Sequence, residues 1–132
     1  MFTISEIREA HAKVRSGTDF PGYIQNLKKL GIHYYEHFVE NGRTCYQGQS
    51  GEYLETGAVY PQIEISITGS VEALKVALAI HQKGETDYLT FCNHAAGAGV
   101  EKWTVDVYKL TCTYFDLKGE PLLTELIADA DQ

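Results

Sequence analysis

The chain has 132 residues, 44% of them apolar and 22% charged, which is the composition of one globular domain over 1–132 rather than of a disordered or fibrous protein. A domain of this size buries roughly two-thirds of the surface its unfolded chain exposes, enough to build a core without metal or disulfide. Eleven Lys and Arg against 18 Asp and Glu give a formal charge of −7, which excludes a broad nucleic-acid surface because phosphate contact needs clustered cations.

Taken in chain order, Thr3 with Glu6 is a capping-box pattern, and Ile4, Ile7, His11 and Val14 follow at helical spacing. A first helix running to Gly17 is predicted. Thr18 and Asp19 cap a second helix, with Pro21 in its first turn and Phe20, Ile24, Leu27 and Leu30 as its apolar stripe before Gly31. The period then changes. Residues 32–40 are aromatic and β-branched, Asn41-Gly42 is the favoured dipeptide of a two-residue hairpin turn, and 43–47 form the return strand.

Residues 48–61 hold three Gly and one Pro and are predicted to be loop. Strict alternation over 62–67 predicts a half-buried strand. Ser70 caps a third helix carrying Val71, Leu74, Leu78 and His81 to Gly84, and Thr86-Asp87 cap a fourth through Tyr88, Phe91, Cys92 and Ala95 to Gly97 or Gly99. Trp103, Val105 and Val107 mark one face of a strand over 101–107, and 111–115 form another before the turn Asp116 to Gly119. Segment 122–127 is apolar and of open type, and 128–132 read as a frayed tail. The fold class expected is α+β, a two-layer arrangement of an antiparallel sheet with about four helices.

A shift of 68 superimposes Thr18-Asp19-Phe20 on Thr86-Asp87-Tyr88, Tyr23 on Phe91, Gly31 on Gly99, Tyr35 on Trp103, Val39 on Val107 and Tyr46 on Tyr114. Only five positions are identical, so the competing reading is chance. The alternative is a pseudo-repeat of 3–47 and 70–116. Its register places Tyr35, His37 and Val39 on the apolar face, with His37 toward the core.

The first charges arrive by Glu6, no signal-peptide stretch is seen, and no window of about 18 apolar residues exists, so no membrane association is expected. Cys45, Cys92 and Cys112 are odd in number and lack CxxC spacing, which fits reduced thiols in a cytoplasm. His33 and His37 share a strand face by period, but no Asp, Glu or Cys stands at ligand spacing beside them, and Cys92 and His94 are two apart on a helix. Neither a metal nor a cofactor is implied.

For catalysis the candidates are Cys92 with His94 as nucleophile and base, and Glu85 or Asp87 as general acid or base. Against these stand a helix-buried thiol and a helix cap with dipole complementarity. Nine of the fifteen aromatic residues are Tyr, a side chain that buries area while its hydroxyl still needs a polar partner. Tyr34, Tyr53, Tyr60 and Trp103 are the binding candidates, with sheet packing as the plain alternative, above all for Trp103. Tyr23, Tyr35, Tyr46, Tyr88 and Tyr114 occupy corresponding places in the two halves and read as scaffold, leaving Tyr108 among the free rings.

The run Gly84 to Thr90, then Gly99 to Asp106 and Thr111 to Asp116, together with Phe20-Pro21-Gly22-Tyr23, Leu27, Leu30-Gly31-Ile32 and Tyr35, resembles the YdfO-like family of small bacterial proteins. The resemblance covers nearly the whole chain. It implies a small α+β fold in a group of unknown function, often prophage-associated and sometimes labelled phage envelope protein. It implies no reaction, cofactor or catalytic residue. The lack of a signal or membrane segment sits poorly with the envelope label.

Two functional readings result. The first is a non-enzymatic cytoplasmic binding or interaction protein whose aromatic-rich surface contacts a protein partner or a small organic molecule. The second is a small enzyme with a pocket near the 48–61 loop and the 87–97 helix. Self-association as a homo-oligomer, through an edge strand or the helical layer, is a further expectation.

Overall fold

Helices begin where the sequence signals them. The computed structural model describes residues 2–14 and 17–127. The Thr3 hydroxyl accepts from the Glu6 N–H while Glu6 accepts from the Thr3 N–H, and α1 (Ile4–His11) grows from that box. A 3-10 turn at Gly17–Asp19 leads into α2 (Phe20–Lys29), with Pro21 in its first turn, where no helical N–H is needed. Ser70 accepts from the Ala73 N–H to start α3 (Val71–Gln82), and Asp87 accepts from the Thr90 N–H at 2.8 Å to start α4 (Tyr88–Gly97).

The six strands are β1 (Ile32–Phe38), β2 (Thr44–Gly48), β3 (Tyr53–Thr56), β4 (Lys102–Asp106), β5 (Thr111–Phe115) and β6 (Pro121–Leu126). They form one sheet in the order β3-β2-β1-β4-β5-β6, antiparallel at every junction. With four helices this is an α+β fold. Alternation places Tyr35 and His37 of β1, Tyr46 of β2, Trp103 and Val105 of β4, and Cys112 and Tyr114 of β5 in the buried layer. Ile7, Ile24, Leu27, Leu74, Leu78, Phe91 and Cys92 meet them from the helices. Every helix thus spends its apolar stripe on one shared core, which is what holds the two layers together.

The structure corrects five expectations. α1 ends at His11 rather than Gly17, because the Val14 N–H turns back to the His11 carbonyl and tightens the last turn; residues 15–16 lie outside the described set. The 48–61 segment is not all loop: a turn at Gly48 to Gly51, where Gly51 has φ +88°, returns the chain as β3, and Tyr46 pairs with Leu54. Residues 62–67 are not a strand. The Ile63 N–H bonds the Glu40 carbonyl at 2.6 Å and the Ser66 N–H bonds the Ala96 carbonyl at 2.9 Å, so the segment crosses without a ladder; Ile63 and Ile65 pack on the core while Ile67 is exposed.

The Asn41-Gly42 turn is wider than two residues, since Phe38 and Arg43 close it across Val39 to Gly42. The fifth correction concerns His33 and His37. A bulge between Ile32 and Tyr34 shifts the phase of β1, so His33 lies against Tyr108 while His37 points inward. The open segment 122–127 becomes the edge strand β6. The tail expectation for 128–132 lies outside the described residues.

Candidate ligand cavity

Many inward positions of the sheet are occupied by rings, Tyr35, His37, Tyr46, Trp103 and Tyr114 among them. A cavity of about 670 Å³ lies between the two layers. That lies within the size range of small-molecule sites. Its wall includes residues of all six strands, from Thr56 on β3 to Glu125 on β6.

One wall is an aromatic network. Tyr23, Tyr35 and Tyr46 contact one another, with the Tyr23 and Tyr46 hydroxyls 3.4 Å apart. His37 stacks on Trp103 with ring centres 4.1 Å apart and planes 6° apart, and its Nε2 is hydrogen-bonded to the Tyr88 hydroxyl. His11 of α1 meets the edges of both Tyr23 and Tyr88. Toward β6 the rings continue as His81, Phe91, Trp103 and Tyr114.

The polar groups of this wall are held uncharged. Burial, reinforced by the nearby His11, lowers the His37 imidazole to about 3, and burial also lowers His11 and His81. Burial raises the Tyr23, Tyr35, Tyr88 and Tyr114 phenols well above their ordinary range, so they stay protonated donors. Among the described residues that line the cavity, only Arg8 and Glu125 carry charged side chains. Arg8 is exposed on α1. Glu125 is half-buried on β6, where it accepts from the Gln82 side-chain amide at 3.1 Å and from the Tyr114 hydroxyl at 3.4 Å.

Of the four candidate binding aromatics, Trp103 lines the cavity and is 6% exposed. The others do not join it there. Tyr34 sits on the outer sheet face beside Glu36 and Lys102. Tyr53 is exposed on the edge strand and donates to Glu55. Tyr60 donates to the Val39 carbonyl at 2.6 Å and touches Tyr88 from outside the lining. The rings read from sequence as scaffold, Tyr23, Tyr35, Tyr46, Tyr88 and Tyr114, are the ones that line the cavity. The signal for them was present in part: Tyr, rather than Leu or Val, recurs at inward strand positions.

The candidate catalytic residues are not gathered in the cavity wall. Glu85 and His94 are exposed, and Asp87 caps α4. Cys92 is fully buried beneath Tyr60 and Tyr88, and burial pushes its thiol up to about 11. Among the described residues no group of three or more His, Cys, Asp or Glu is placed to hold a metal ion. No helix is long and apolar enough to cross a membrane.

A family model described as protein of unknown function (DUF1398) matches residues 8–126. The uncharacterized protein Rv2012 of Mycobacterium tuberculosis (strain ATCC 25618 / H37Rv) is 28% identical over 112 residues, covering 83% of this chain and 67% of its own length. The uncharacterized protein YcgX of Escherichia coli (strain K12) is 23% identical over 113 residues, covering 86% and 84%. These relatives span both layers of the fold.

Proposed function

Because this chain belongs to the DUF1398 family of proteins of unknown function, we propose its role from its own interior: it is a non-enzymatic binding protein that takes one small, largely apolar organic molecule between its helices and its sheet. The observation that carries this is the cavity of about 670 Å³ walled by rings with protonated hydroxyls. A wall of apolar faces with a few fixed donors is the usual make-up of a small-molecule site. The cavity does reach the 48–61 segment through Thr56 and Val59 and α4 through Tyr88 and Phe91, but Glu85, Asp87, Cys92 and His94 are outside its wall, so the enzyme reading has none of its catalytic groups there.

We place the protein in the cytoplasm on the strength of three free, buried cysteines. The narrower YdfO-like kinship belongs to the same reading and rests on the motifs Gly84 to Thr90 and Gly99 to Asp106. The internal duplication is likewise our own inference. It is supported by the β1–β4 register, in which the pairs Tyr35↔Val105 and His37↔Trp103 exchange under a shift of 68.

Trp103 is the chain's one tryptophan, so the test needs no label. Titration with N-phenyl-1-naphthylamine, a neutral apolar dye, is expected to quench Trp103 emission saturably with one-to-one stoichiometry. The bound dye also raises Tm with concentration, because it stabilises the folded form only. Absence of both saturable quenching and a Tm rise would refute the proposal.

A further inference from the structure

We propose that the molecule held in the cavity is a lipophilic organic cation, with its charged end set against Glu125. The inference rests on the cavity being a ligand site at all.

It follows from what the wall offers to each kind of charge. Phe91, Trp103 and Tyr114 form a chain of rings with centres 5.5 and 6.0 Å apart, and the Tyr114 hydroxyl leads directly to Glu125. Ring faces carry negative partial charge and attract cations, more strongly where water is excluded. Among the described residues Glu125 is the one carboxylate in the wall, and Gln82 and Tyr114 hold it in place. A half-buried carboxylate at the end of a line of aromatic side chains suits an organic cation and disfavours an anion.

An anion would meet a poorer site. Among the described residues the only lining cation is Arg8, and it is exposed on α1. His11, His37 and His81 supply no positive charge, since burial favours their neutral forms. The formal charge of −7 also draws cations toward the molecule and repels anions.

Three flat probes of matched size separate charge from shape: the cation 1-methylquinolinium, the neutral 1-methylnaphthalene and the anion 1-naphthoate, each measured by equilibrium dialysis against the full chain. The cation is expected to bind one-to-one, about tenfold or more tighter than the neutral probe. Glu125→Gln keeps an acceptor for Tyr114, lowers cation affinity about tenfold, and leaves the neutral probe unchanged; a cooperative melt confirms that the variant folds. Arg8→Gln leaves the cation at least as tightly bound. If the neutral or anionic probe binds as tightly as the cation, or if Glu125→Gln has no effect on the cation, the charge assignment is overturned while the cavity reading stands. If none of the three binds, both are overturned.

Discussion

His37 is 4% exposed and its imidazole is held at about 3 against an ordinary value of 6.5. Between those values the unfolded chain binds a proton that the folded chain refuses. Stability contributed by the neutral ring is therefore full above about pH 6.5 and is lost as the pH falls toward 3. Linkage with these two values gives a loss of about 2 kcal/mol between about pH 7.5 and about pH 5 from this residue alone. Replacing His37 by Phe keeps a flat ring against Trp103 but removes the titration. The variant is less stable at neutral pH, since Tyr88 loses its partner, by about 1–3 kcal/mol. Its stability nevertheless falls less steeply with acid. Urea unfolding of both proteins at the two pH values isolates the term, because groups other than His37 are common to both and cancel in the difference. Equal acid losses in the two proteins would refute the claim that His37 is neutral in the folded state.

Three further perturbations test the packing. Leu27 is fully buried between α2 and the sheet, so Leu27→Ala is expected to cost about 2–5 kcal/mol by urea unfolding, and a cost below 1 would contradict a filled core there. Gly99 has φ +83°, and a Cβ on it would lie 2.6 Å from the Thr68 carbonyl oxygen. Gly99→Ala is therefore expected to lose about 2–3 kcal/mol, while Gly22→Ala on α2, which meets open space, gains about 0.5–1 kcal/mol. Burial pushes the Cys92 and Cys112 thiols up to about 11 and about 12. Native protein should leave both unreacted with an aromatic disulfide reagent at mildly alkaline pH, all three cysteines reacting after denaturation; rapid native labelling of Cys92 would show that it is not sealed under Tyr60 and Tyr88.

Local signals were read correctly where the physics is local. The capping box at Thr3 and Glu6, the caps at Ser70 and Asp87, and the alternation of Trp103, Val105 and Val107 depend on neighbours within a few residues, and the structure has them at those positions. Readings that needed a partner strand fared differently. Gln62 to Ile67 and Tyr53 to Thr56 carry similar short-range patterns, yet only the second finds a ladder, because β2 lies beside it across a Gly turn. Burial on one side is compatible with either a strand or an extended crossing, and only the neighbours decide between them.

The cavity shows the same division. The sequence by itself established a Tyr-rich, acidic chain with an α+β order, and the register of the pseudo-repeat reading pointed His37 toward the core. It could not say whether the inward tyrosines fill that core or surround a space. That depends on how far four helices stand off a sheet whose inner face is made of rings, and the layer separation is a property of the packed whole. The joining of Phe91, Trp103, Tyr114 and Glu125 is likewise a product of sheet order, since β4, β5 and β6 are adjacent only once the chain has folded.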